Sequence, residues 1–279
     1  MSLLNVLISI FGTSKPIIGM VHLKPLPGSP LYDRKGGMEK IAELALRDAD
    51  ALIAGGVDGI QIENQWDRPF SRERDMGPET VASVTHVATL LRQRTDVPLG
   101  VCIHLNAVVS AIAVAAVTGC QWVRAFEIAN AYVSNAGIIE AAGPQAIRYR
   151  TTLDAQDRVR VFADFHVKHG SHQMTADRAI TEQLEDVQIA GADAAIVTGL
   201  KTGVAPSARS LKELRGVVSI PLILGSGLTL ENADELLPLV DGAIAGTYFK
   251  EKGVLENPVD SDRVRRFMDR VKKLRGDQG

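Results

Sequence analysis

In the run RVRVFADFHVK (158–168), Phe162, Asp164, His166 and Lys168 alternate with Val161, Ala163, Phe165 and Val167. A period of two places the first set, a carboxylate, an imidazole and an ammonium among them, on one face of a strand. Such groups are expensive to bury unpaired, and together they suit proton transfer. Asp164 and His166 read as general base and acid. Lys168 reads as a stabiliser of enediolate-like charge or as a Schiff-base nucleophile.

More polar groups close other apolar runs: His22 and Lys24, Glu63 and Asn64, His104 and Asn106, Arg124 and Glu127, and Thr198 before GLKTG. Glu63 and His22 join the catalytic candidates. His22, Glu63, His104 and Asp164 also offer mixed nitrogen and oxygen ligands for a divalent metal, Mg²⁺ or Zn²⁺. The competing reading is structural, with His22, His104 and Asp164 hydrogen-bonded in place and Glu63, Arg124 and Lys168 in ion pairs. His169 and His172 suit exposed loops and His86 a helix surface. Trp66, Trp122, Cys102 and Cys120 suit packing.

Near the end of the chain, Gly225-Ser226-Gly227 and Gly246-Thr247 follow two apolar runs. Small residues let backbone N–H groups approach an anion, and a following helix or 3₁₀ turn from about Thr229 adds a positive dipole end. Gly199, Thr202 and Gly203, with Thr198 and Arg124 nearby, extend this candidate phosphate site. The alternative is that the glycines only permit tight turns.

The elements that must carry these groups alternate from end to end. Eight runs rich in Val, Ile, Leu and Ala (16–23, 59–64, 98–105, 121–127, 158–168, 193–199, 220–227 and 241–249) are separated by helical patterns. The first has Ile41, Leu44, Ala45, Ala49, Leu52 and Ile53 on one face and stops at Gly55-Gly56. Helices are predicted at 78–94, 106–118, 177–190, 208–215, 229–237 and 260–274, with a loop and then a helix near 144–153 in the less regular 127–157 stretch. Strands buried on both faces and joined by helices form a parallel sheet. Eight units predict an α/β fold, a (β/α)8 TIM barrel in a single domain (16–275) with an N-terminal arm or helix at 1–14. An open doubly wound sheet fits less well, because no G-x-G-x-x-G follows the first strand. In a barrel the polar run ends converge on one mouth, and the two glycine turns fall after strands 7 and 8. Those two turns resemble the phosphate loops of the ribulose-phosphate-binding barrels.

A wider resemblance rests on KPIIGMVHLKPLPGSP (15–30), ENQWDRPF (63–70), ADFHVKHG (163–170), VTGLKTG (197–203), LILGSGLT (222–229) and GTYFK (246–250). Together these are similar to the BtpA/SgcQ family, across essentially the whole chain. The resemblance implies a TIM barrel. It also implies two settings, photosystem I biogenesis and carbohydrate uptake, without a reaction that carries over residue by residue.

Composition narrows the classes. The chain has 279 residues, with 31 Lys and Arg against 33 Asp and Glu, a formal net charge of −2. That balance gives no field to gather nucleic acid. Two cysteines without metal-site spacing point to a reducing cytoplasm. The most apolar stretch, 107–117, is shorter than the roughly 20 residues of a spanning helix, and LLNVLISIF lacks the flanks of a signal peptide. That apolar start is expected to pack on the domain or on a partner subunit, which suggests a homo-oligomer. Two functions fit: an enzyme using acid–base chemistry on a small phosphorylated sugar or nucleotide-like ligand, as an isomerase, epimerase, lyase or hydrolase, or a non-enzymatic assembly factor. The last helix carries an apolar stripe of Val264, Phe267, Met268, Val271 and Leu274 beside Arg265, Arg266, Lys272, Lys273 and Arg275. It either rests on an anionic membrane, as the second function would need, or packs on the barrel.

Overall fold

In the computed structural model, which describes residues 5–199 and 203–276, the chain opens with helix α1 (Asn5–Phe11). It then builds β1 (Ile17–His22), β2 (Gly59–Glu63), β3 (Leu99–Cys102) and β4 (Trp122–Ala125). A hairpin of β5 (Ala131–Ser134) and β6 (Gly137–Glu140) comes next, then β7 (Arg160–Phe165), β8 (Ala194–Val197), β9 (Leu222–Leu224) and β10 (Gly242–Ala245). All but the hairpin pair in parallel as one closed barrel in the order β1-β10-β9-β8-β7-β4-β3-β2. The eight predicted strands are therefore the eight staves. The hairpin is an addition that the pattern of 127–157 did not disclose, because two four-residue strands at the surface are too short to show a period.

Helices α2 (Gly37–Gly55), α3 (Pro78–Arg94), α4 (Val108–Thr118), α5 (Gly143–Thr152), α6 (Ile180–Ile189), α7 (Ala208–Leu214), α8 (Ala233–Leu236) and α9 (Ser261–Arg275) fill the gaps between strands. Outward-facing Ile17, Val21, Ile60, Ile62, Val101, Val123, Val161 and Ala163 lie in one core with helix residues such as Leu52, Val87, Ile112, Leu184, Leu211 and Phe267. The stripe of α9 belongs to this core: Val264, Phe267, Met268 and Val271 are buried, and Val264 lies against Gly55 of α2. The membrane-facing alternative for that stripe is thereby corrected, since burial inside its own chain already satisfies the apolar face. Among the described residues no helix is long and apolar enough to cross a membrane.

Inward-facing side chains are stratified. The lower layer is apolar, with Ile18, Met20, Trp122, Phe162, Ile196, Ile223 and Ile244 packed together. Trp122 and Phe162 stack with centroids 5.8 Å apart. Gly100 makes room, since a Cβ there would lie 2.0 Å from the indole. Helix α1 closes this end: Leu7 is fully buried in the same cluster, joined by Val6, Ile10 and Phe11, and Phe11 meets Trp122 at 5.1 Å. The apolar start thus packs on its own barrel. This removes the ground on which a homo-oligomer was expected. Above the plug the interior turns polar, and Gln61 makes the transition, accepting from Trp122 Nε1 and donating to Glu63 at 3.3 Å each.

Candidate active site

The polar layer is one connected set of charges at the C-terminal ends of the strands. On β4, Arg124 donates from Nε and Nη2 to the two oxygens of Asp164 on β7, at 2.6 and 2.8 Å, and its Nη1 lies 3.9 Å from Glu63 on β2. Glu63 also pairs with His104 Nε2 at 3.0 Å. Gln65, with its amide oriented to suit both neighbours, donates to Glu63 at 2.8 Å and accepts from Arg68. Burial opposes the Glu63 charge, but the His104 hydrogen bond and the Arg124 charge outweigh it, leaving the carboxyl well below its usual range. Burial also opposes the Arg124 charge; Asp164 and Glu63 more than compensate.

Two side chains in this layer are poised differently. Burial, aided by the nearby Arg124 charge, lowers Lys168 to about 8 against the partial support of Glu63 and Asp164. That puts its ionisation within reach of neutral pH, where a proton carrier is most useful. Burial lowers His22 to about 3, so its ring is neutral, and its Nδ1 has no partner among the described residues.

The charged layer forms the floor between two lobes of one cleft. The first lobe, about 220 Å³, is lined by His22 and by both glycine turns, Gly225 to Thr229 and Gly246 to Tyr248, with Gly203 at the side. The second, about 460 Å³, has walls of Phe70, His104, Phe126 and Tyr132 and a rim with Arg68, Ser134 and Asn135. Glu63, Gln65, Arg124, Lys168 and Leu255 line both. The aromatic lobe is assembled by two connections. In segment 64–78, Phe70 stacks on the His104 ring at 4.1 Å and an interplanar angle of 12°. The β5–β6 hairpin brings Tyr132 and Ser134. Asn106 fixes the hairpin's base, accepting from the N–H groups of Phe126 and Glu127 and donating to the carbonyls of Glu127 and Glu140.

Several expectations change with this geometry. The alternation of the fifth run stops at Phe165: His166 takes a left-handed φ of 50° and turns out of the mouth. There its Nε2 bonds Gln183 of α6 at 2.9 Å and its ring stacks on His172 at 4.4 Å. Asp164 is in the mouth, but with both oxygens held by Arg124 it is the arginine's counter-ion. The acid and base expected of this pair are thus separated and occupied. The four candidate metal ligands do not gather either. Asp164 is committed to Arg124 and His104 to Glu63, and among the described residues no three His, Cys, Asp or Glu side chains are placed to share a cation.

The glycine turns also need refinement. The Gly225 N–H is spent on the Val197 carbonyl at 2.8 Å. This glycine instead makes space, since a Cβ would strike Ile196 and Thr198 and approach Arg124. Gly227, at φ +80°, abuts the backbone of Val204 and Ala205, 2.1 Å from where a Cβ would sit. The helix expected near Thr229 begins only at Ala233 and has four residues, too short and remote to aim a dipole at the turns. Ser226, Gly227, Gly246 and Thr247 line the cleft as expected. Thr198 lies beside Gly225 with its hydroxyl buried and unpartnered among the described residues. Thr202 lies outside the described residues.

One ion pair escaped the sequence reading. Lys250, fully buried, bonds Asp48 of α2 at 2.7 Å, and Asp48 also accepts from the Val259 N–H. The pair ties the segment after Thr247 to the barrel wall behind His22. Helical periodicity puts Asp48 among the apolar positions of α2, the one signal that could have exposed it.

Known proteins agree with the architecture. Orotidine 5′-phosphate decarboxylase of Pyrococcus horikoshii superposes with a TM-score of 0.56 at 11% identity, covering 92% of this chain and 99% of that one. An uncharacterized protein of Thermococcus kodakarensis is 37% identical over 94% of this chain and 97% of its own. The photosystem I biogenesis protein BtpA of Synechocystis is 31% identical over 94% of this chain and 90% of its own. With residues 13–273 also matching the family's pattern from end to end, the chain belongs to the BtpA family.

Proposed function

We propose that this barrel is an enzyme for a small phosphorylated substrate, with Lys168 moving the proton and the amides near Ser226, Gly227, Gly246 and Thr247 holding the phosphate. The observation that carries the reading is Lys168 itself, buried between the two lobes with its ionisation lowered to about 8. Neutral Lys168 can accept a proton from a carbon beside a carbonyl. The C–H electrons then move onto the carbonyl oxygen, and the Arg124 guanidinium faces that developing charge. Asp164 and Glu63 hold Arg124 in place and His104 orients Glu63. Return of the proton from Lys168 completes an isomerisation; departure of a bonded group instead gives a lyase.

The test is a thermal-shift and calorimetric screen of sugar phosphates and nucleotides, since a ligand of the native state raises its melting temperature. Gly227 is a poor probe because any side chain there meets backbone. Thr247→Asp adds a negative charge at the turn without that clash, and is expected to abolish phosphate-dependent stabilisation. Stabilisation that survives it would overturn the phosphate site.

The name of the Synechocystis relative favours a second reading, a role in assembling a complex. A variant that has lost Lys168 but still supports assembly in such a host would favour that reading over the first.

A further inference from the structure

Two lobes that share a charged floor but differ in their walls imply a ligand with two unlike ends. Building on the phosphate reading of the glycine lobe, we propose that the aromatic lobe binds a flat, hydrogen-bonding ring. The substrate class is then a pentose phosphate that carries a ring, nucleotide-like in form, with the sugar lying across Glu63, Arg124 and Lys168.

The second lobe is the larger, about 460 Å³ against about 220 Å³. That is more than a phosphate and a short sugar would need, and its walls are wrong for further hydroxyls. Phe70 and His104 already lie nearly parallel at 4.1 Å, and Phe126 leans on the far side of His104 at 4.7 Å. A stack built in the protein continues naturally onto the π-face of a ligand ring. Arg68 lies 5.7 Å from the Phe70 ring, and a guanidinium can stack on a flat heterocycle as well as bond to its edge. Ser134 and Asn135 at the rim add a hydroxyl and an amide, suited to the donors and acceptors on a ring edge. A sugar phosphate alone would leave this lobe filled with water.

Isothermal titration with inorganic phosphate, ribose 5-phosphate, adenosine and uridine 5′-monophosphates, and the two nucleosides separates the contributions. At least one monophosphate is expected to bind about tenfold or more tightly than ribose 5-phosphate, the scale of a single base stacked on an aromatic side chain. Phe70→Leu, which keeps apolar bulk but removes the ring, is expected to erase that difference and leave ribose 5-phosphate binding unchanged. Thr247→Asp is expected to weaken every phosphate-bearing ligand. Monophosphates that bind no better than ribose 5-phosphate, or an advantage that survives Phe70→Leu, would overturn the ring site while sparing the phosphate reading. Nucleosides binding as well as their monophosphates, with no response to Thr247→Asp, would overturn the phosphate reading as well.

Discussion

Lys168 and Asp164 lie in the same layer, yet their removal has opposite consequences. A rate limited by neutral Lys168 rises with pH, with a midpoint near 8 in kcat/KM, and levels off above it. Lys168→Arg keeps a cation but cannot shed its proton near neutrality, and is expected to lower kcat by about 10²- to 10⁴-fold. The same lysine affects stability. Its ionisation lies below the ordinary 10.5, so between about pH 8 and 10.5 the unfolded chain holds the proton longer and stability rises with pH. Lys168→Met removes that rise, and thermal melts of the two proteins across this window will show their curves converging. Asp164→Asn does something else. It leaves Arg124 buried without its bidentate partner, which costs about 3–5 kcal/mol, so the variant is expected to melt earlier as well as turn over more slowly. Of the residues singled out in the sequence, Glu63, Arg124, Asp164, Lys168, His22 and His104 do converge on the mouth. Their pairing was not legible, because residue type and spacing do not reveal which carboxylate a guanidinium will meet. His166 misled because one residue in a left-handed conformation ends a two-residue period, and no pattern in VFADFHVK announces it.

At the scale of elements, the strands and most helices follow from hydrophobic periodicity alone. Helix α3 coincides with the predicted 78–94, and each barrel strand lies inside its predicted run. What periodicity cannot show is a connection whose order comes from tertiary contacts. The hairpin and segment 64–78 are both of this kind, held by Asn106 in one case and by the Phe70–His104 stack in the other. Asn106 tests the point. It sits at φ 58°, which asparagine tolerates better than most residues, and its side chain makes four hydrogen bonds to backbone. Asn106→Ala removes all four and is expected to destabilise the protein by about 2–4 kcal/mol. Hydrogen exchange should accelerate in residues 126–140 while the barrel strands stay protected.

For the whole molecule, the interior is a column that is apolar below and charged above, stopped at its base by α1. A chain starting at residue 13 exposes the Trp122–Phe162 stack that α1 covers. Loss of stability and a red-shifted tryptophan emission are the expected result, whereas an unchanged melt would mean that the plug only rests on the barrel. The stopper also governs traffic. With the foot of the barrel shut, a reactant and whatever it becomes must use the same doorway between segment 64–78 and the β5–β6 hairpin. One must depart before the next can arrive. Added product should therefore inhibit competitively, with double-reciprocal lines meeting on the rate axis; any other pattern would reveal a second exit.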